Sequence, residues 1–302
     1  MIKLSTPVMA APLPVQLSLG DRIMVLGSCF ADSMGSRLAA AGFDVCVNPF
    51  GTLYNPVSIC NSVARLASGR PFTEADCVEM GAGAGLVCSW SHHTSFARPT
   101  AEEFLRDANA SLAKASEFWK SANKVLITLG TAMVWKLVGD ENAGEGARAG
   151  EGARAGEVAR AGEVVSNCLK RPAAEFSHEM LGVQHVGALL QMLVEGNPDK
   201  EFIFTVSPIR HLGDGAHANT LSKATLHLAL GRLPVCYFPA YEILLDELRD
   251  YRYFAEDLVH PSKLAEDIIW ERFVTAAVVP GDQSQLALNE KAARHSAHRP
   301  LR

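Results

Sequence analysis

An apolar run, Ile23-Met24-Val25-Leu26, ends in Gly27-Ser28 and passes directly into a helical pattern, and this junction constrains the fold more than any other feature. Met34, Leu38 and Ala41 share one face of a helix over Ala31 to Ala41, Gly42 supplies a stop, and Phe43 to Val47 reads as a second strand. Two such strands joined by one helix cannot form a hairpin. They need a crossover, so the pattern opens a parallel α/β sheet. Lys124 to Gly130 and Glu201 to Pro208 read as further buried strands, Val235 to Phe238 as a short one, and Gly81 to Trp90 as a weak strand region. Helical patterns cover Val57 to Ser68, Thr100 to Ser121, Thr220 to Leu230 and Ser262 to Val274.

The chain has 302 residues, 48% of them hydrophobic, enough for one sizeable core, and the reading is a single domain over residues 1–280 after an extended lead-in of about 20 residues. EGARAG occurs at 145–150 and 151–156 and recurs as EVARAG at 157–162. Such a repeat lacks the large apolar residues a core needs, so residues 140–163 read as a low-complexity loop. It would lengthen a hairpin between Trp135–Val138 and Val164–Asn167. Residues 281–302 carry little apolar pattern and read as a loose, disordered tail.

A net charge of −5 with no basic block argues against nucleic acid as a partner. No stretch approaches the roughly 18 apolar residues of a membrane span, and no signal-like segment opens the chain, so no membrane association and a cytoplasmic address are expected. Seven cysteines without a CxxC pair disfavour both a disulfide framework and a zinc site.

The chemistry-bearing residues lie far apart. Ser28 follows the first strand and precedes a helix, a place where ligands of parallel sheets bind and where helix amides favour a developing oxyanion. Asp257-Leu258-Val259-His260 supplies an acid and a base three residues apart. A serine hydroxyl needs a base to take its proton and an acid to orient that base. Ser28 as nucleophile, His260 as base and Asp257 as orienting acid therefore form the expected catalytic set. Ser28 alone reads more readily as a helix cap. Asp257 or Ser262 alone reads as a helix-entry residue, and only the combination shifts the balance. The amides of Ser28 and Gly51, with a group from the Gly130-Thr131 turn, are the candidate oxyanion donors. Arg210 and His211 follow a strand end and would give the site a cationic rim suited to carboxylate, phosphate or sugar. The adjacent His92 and His93 point to opposite faces of an extended chain, so no metal is expected. Tyr54, Trp90, Trp135 and Tyr253 read as core or hairpin aromatics rather than as a sugar platform.

Gly27-Ser28-Cys29-Phe30-Ala31 spells GSCFA, and the chain resembles the GSCFA-domain family. The likeness runs through NPFGTLYNP (48–56), HH with SF (92–96), LITLGTA (126–132), VSNCLKRP (165–172), TVSPIRH (205–211) and DELRDYRYFAEDLVHPS (246–262). That family looks like a branch of the SGNH (GDSL-like) hydrolase superfamily. The resemblance implies a three-layer α/β/α sandwich with a central, mostly parallel, flavodoxin-like sheet. It implies a serine hydrolase site in which Ser28, Gly51, Gly130, Asp257 and His260 take the motif positions. One departure is plain: Ala132 stands where an oxyanion-donating asparagine is expected, leaving Thr131, Asn48 or Asn55 to replace it. His93 joins Arg210 and His211 as a candidate substrate contact.

The expected activity is thus hydrolysis of an acyl ester, of a glycan or a small metabolite, with no cofactor. Acyl transfer to a carbohydrate hydroxyl uses the same triad. A non-catalytic binding module on the same fold is a third reading, and Cys29 as nucleophile a fourth. Adjacent residues after a strand point differently, so only one of Ser28 and Cys29 can face the base. The sequence leaves the oligomeric state open.

Overall fold

The structure is a computed structural model that describes residues 6–8, 12–138 and 162–297. In chain order the regular elements are β1 (Arg22–Gly27), α1 (Cys29–Ala40), β2 (Asp44–Val47), α2 (Pro56–Ser68), β3 (Val78–Glu79), β4 (Val87–Cys88), α3 (Ala101–Ser121) and β5 (Lys124–Leu129). They continue with β6 (Met133–Leu137), β7 (Val164–Val165), β8 (Phe176–Met180), α4 (Val183–Glu195), β9 (Glu201–Val206), α5 (Gly215–Leu230) and β10 (Cys236–Tyr237). A short α6 (Ala240–Glu242) runs into a π-helical turn over Ile243–Leu248, and α7 (Lys263–Ala277) and α8 (Pro280–Ala297) close the chain.

Five strands form one parallel sheet in the order β10-β9-β5-β1-β2. Renumbered within the sheet this is 2-1-3-4-5, the flavodoxin-like doubly wound order, whose direction of winding reverses between β1 and β5. Side chains of successive strand residues point to opposite faces, and the two apolar layers obey that rule. Met24, Leu26, Val125, Ile127, Phe202 and Phe204 face the layer built by α2, α3, α4 and α5. Ile23, Val25, Leu126 and Ile203 face the layer that contains Phe30, Met34 and Leu38 of α1 and Ile269, Trp270 and Phe273 of α7. The result is the three-layer α/β/α sandwich the sequence led us to expect. Each fully buried Leu, Ile or Phe in these layers contributes about 2 kcal/mol.

The local signals explain most boundaries. Thr100 caps α3 by accepting from the Glu103 amide, Asn55 caps α2 with Pro56 in its first turn, and Ser262 caps α7. The expected hairpin forms, with Trp135 opposite Val165 and Lys136 opposite Val164. The low-complexity repeat it would carry lies outside the described residues. β8 adds a third strand to this small sheet, antiparallel to β6, and α4 follows it; neither has a strong entry signal, since Gly182 at the start of α4 gives no side-chain cap.

The stretch expected to be a loose tail is instead helical at Pro280–Ala297. The correction has a physical cause that apolar patterning misses. A single buried leucine, Leu286, packs on the α1–α7 layer. Polar contacts do the rest: Asn289 donates from Nδ2 to the Ala41 carbonyl, and the Trp270 indole donates to Glu290 Oε1 at 2.6 Å. Among the described residues no helix is long and apolar enough to cross a membrane.

Candidate active site

β1 delivers the first half of the site. Gly27 has φ +136, and its amide donates to Asn48 Oδ1 at 2.8 Å. A methyl group on Gly27 would collide with the carbonyl oxygen of Thr128 on the neighbouring β5, so only glycine lets the chain pass this close to the switch point. Ser28 then takes an extended conformation and caps α1, its Oγ accepting from the Phe30 amide at 3.3 Å. The same Oγ shares a hydrogen bond with Thr128 Oγ1 at 3.2 Å. The Ser28 amide donates to the Thr128 carbonyl and to Thr128 Oγ1. Ser28 has no exposed surface.

The loop between the π-helical turn and α7 delivers the second half. An antiparallel bridge from Phe254 to Pro261 and hydrogen bonds from the Ala255 amide to the His260 carbonyl and from the Ser262 amide to the Tyr253 carbonyl close it into a compact turn. Leu258 at its tip adopts a left-handed φ of 56. Asp257 Oδ1 accepts from the amides of Val259 and His260, and Oδ2 pairs with His260 Nδ1 at 2.6 Å. Those two amides, with the His260 ring after them, pull the Asp257 carboxyl down to about 2. An ionised carboxylate only accepts, so the hydrogen sits on Nδ1 and the lone pair is left on Nε2, the arrangement a general base needs. The Asp257–His260 pair expected from the sequence therefore forms. Neither Ser28 nor Cys29 is hydrogen-bonded to His260 in this structure; such contacts commonly tighten only when substrate is bound.

The loop after β9 ties the halves together. Arg210 donates from its amide to the Val259 carbonyl and from Nη1 to the Leu258 carbonyl at 3.0 Å, and its guanidinium lies over Phe254. His211 is largely buried beside Tyr54, ring centres 5.6 Å apart, and close to Gly130, whose missing Cβ would lie 3.2 Å from His211 Nε2. Burial, followed by the charges of Lys223 and His260, lowers His211 to about 3. Its Nε2 is buried and has no hydrogen-bond partner among the described residues. Lys223 lies wholly buried beneath the site, donating to the carbonyls of Gly130 and Ser207, and burial lowers its ammonium to about 7. The expected cationic rim is corrected accordingly. His211 is neutral at physiological pH because its surroundings are dry and cationic, and Arg210 is spent on holding the His260 loop.

The expected oxyanion donors are each engaged. The Ser28 amide serves Thr128, the Gly51 amide donates to the Asn48 carbonyl, and the amides of Gly130 and Thr131 both donate to the Tyr54 carbonyl. The Thr131 hydroxyl pairs with Ser222 Oγ and accepts from the Met133 amide. Asn48 is a brace instead of a donor: its Oδ1 takes the Gly27 amide and its Nδ2 donates to Asp32. Asn55, the other candidate, is occupied as the cap of α2. His93 packs its Cβ against Gly51, and its Nδ1 accepts from the Ser95 amide; it lies near Asp32, whose carboxyl is raised by burial and pulled back by Asn48 and the His93 charge. The sequence set Tyr54 aside as a core aromatic and grouped Lys223 with the polar residues near Arg210, without a role for either, and gave no signal for Thr128 or for Asn219, whose Oδ1 accepts from the His211 amide at 2.8 Å.

Two clefts lie to the side of this centre. One of about 430 Å³ runs along α2 between Phe50, Arg65 and Trp90. The other, of about 940 Å³, opens at Asp32, one turn beyond Cys29, and continues between α1, α7 and α8. Neither is lined by His260, so cleft size does not point to the chemistry here and the convergence of named groups does.

The sequence model of the GSCFA family matches residues 22–151 and 152–273. The chain belongs to the GSCFA family. No curated protein and no solved structure matches it. Within this GSCFA protein the motif residues 27–31 and 257–260 stand at the β1–α1 junction and on the loop before α7, joined through Arg210, His211 and Tyr54.

Proposed function

We propose that this protein is an acyl-ester hydrolase of the SGNH (GDSL-like) type, acting on an ester of a glycan or small metabolite without a cofactor. The Asp257–His260 pair carries the reading: a carboxylate held down by two amides and locked at 2.6 Å onto Nδ1 has the construction of a general base and its orienting acid. The sheet supports it, because the β1–α1 turn sits at the point where winding reverses, the usual ligand site of such folds. A nucleophile on that turn attacks the acyl carbonyl while His260 Nε2 takes its proton, and the resulting imidazolium returns the proton to the leaving alkoxide. Water, activated by the same imidazole, then frees the acid. The sequence put Ser28 in the nucleophile's place; in that role it must first release Thr128 and the Phe30 amide.

Hydrolysis of p-nitrophenyl acetate tests the reading. The wild type is expected to turn the ester over, and His260→Ala to lose at least about a hundredfold. Equal rates in the two proteins would rule His260 out as the base. With a sugar hydroxyl in place of water the same groups perform acyl transfer, which an acylated carbohydrate product would reveal. The engaged oxyanion donors favour a second reading, a binding module on the hydrolase fold. That reading expects the ligand to be recovered unchanged from wild type and His260→Ala alike.

A further inference from the structure

Resting on the hydrolase reading, the nucleophile is one of two neighbours, and they differ in burial and in partners. Ser28 points inward, with no exposed surface, its Oγ between Thr128 Oγ1 and the Phe30 amide and its own amide spent on Thr128. It closes the end of α1 and fastens β1 to β5. Cys29 is partly exposed. Its Sγ lies 3.4 Å from the Tyr54 hydroxyl, Tyr54 packs against His211, and His211 lies close enough to His260 to feel its charge. Val259, Tyr253 and Phe254 from the His260 loop pack on the same apolar layer as Cys29.

We infer that Cys29, and not Ser28, is the nucleophile of this site, and that turnover passes through a thioester. His260 Nε2 takes the thiol proton and Sγ forms a bond to the acyl carbon. The tetrahedral oxyanion collapses, the carbon–oxygen bond to the alcohol breaks, and the imidazolium protonates the departing alkoxide. Water then attacks the thioester with His260 taking its proton, the carbon–sulfur bond breaks, and the proton returns to the thiolate. No external oxidant or reductant enters. Cys29 begins α1, a 12-residue helix whose N-terminal partial charge lies beside any oxyanion formed on an acyl group at Sγ. The Cys29 amide has no acceptor among the described residues, which makes it a donor for the oxyanion at a site where the other candidates are engaged. The other six thiols are unsuited to the task. Burial pushes five of them to about 11 or 12 and raises Cys236 as well.

Two measurements on the full chain decide the point. In the first, iodoacetamide alkylation is followed residue by residue by mass spectrometry in wild type and His260→Ala. Cys29 is expected to react at least about tenfold faster than any other cysteine, and to lose that advantage in His260→Ala. Alkylation of Cys29 at the pace of the others, indifferent to His260, would overturn the inference. In the second, p-nitrophenyl acetate hydrolysis is compared in Cys29→Ala, Cys29→Ser and Ser28→Ala, with circular dichroism confirming the fold of each. Loss in Cys29→Ala beside measurable turnover in Ser28→Ala supports the thiol. Retention in Cys29→Ala with loss in Ser28→Ala overturns the thiol and upholds the hydrolase reading. Absence of both His260-dependent hydrolysis and selective alkylation overturns both.

Discussion

The turn that ends β1 and the turn that carries His260 are held in place by opposite means. The first is part of the core: Gly27 and Ser28 are buried and bonded to Thr128 and Asn48, which stand on or beside neighbouring strands. The second lies at the surface, with about half of the Asp257 and His260 side chains exposed. Its order comes from its own hydrogen bonds and from Arg210. A nucleophile's position is therefore set when the sheet folds, whereas the base is carried on a loop closed by its own hydrogen bonds and tied by Arg210 to the segment after β9. Changes at the buried Gly27 and at the Thr128 contacts of Ser28 should register as stability, and changes at the second turn as rate.

The largest expected effect breaks the first turn. Gly27→Ala places a methyl on the Thr128 carbonyl at a φ that L-residues avoid, and should cost several kcal/mol, read as loss of the folded protein on expression or a steep drop in Tm. His260→Ala should lower ester turnover about a thousandfold, equivalent to about 4 kcal/mol of barrier, while shifting stability by less than about 0.5 kcal/mol. A large stability loss from this exposed residue would erase the contrast between the turns. Thr128→Val removes the hydroxyl that holds Ser28 and should cost about 1–2 kcal/mol in chemical denaturation. Arg210→Ala frees the Leu258 carbonyl from its side-chain anchor, keeps the backbone bond to the Val259 carbonyl, and should lower kcat about three- to tenfold with KM little changed. The smallest effect is acid release of the second turn. The Asp257 carboxyl is depressed from its usual 3.8 to about 2. Its contribution is complete above the unfolded value and disappears as pH falls through about 2. The His260 ring resonances should report that step by NMR, and Asp257→Asn should abolish it.

The same contrast explains what could be read from the sequence. β1, α1 and β2 were legible because a buried apolar run, a helical face and a glycine stop occur in immediate succession, and β5 and β9 because each is a continuous apolar run. Asp257 and His260 were legible because both partners lie within one turn, where spacing alone brings them together. The environment of Ser28 was not, since it depends on Thr128, 100 residues away, and no local pattern shows which of two neighbours faces inward. The roles of Asn48 and Arg210 as braces were hidden for the same reason: their partners are backbone atoms set by tertiary structure. α8 escaped because its anchoring rests on Asn289 and Glu290, polar residues that apolar periodicity does not register.

Acid-quenched mixing of p-nitrophenyl acetate with wild type and His260→Ala, followed by intact-mass and peptide analysis, tests the joint action of the two turns most directly. One acetyl group per wild-type chain is expected, on the peptide containing residues 28 and 29, and none on His260→Ala. Acetylation elsewhere, or to the same extent in both proteins, would contradict it.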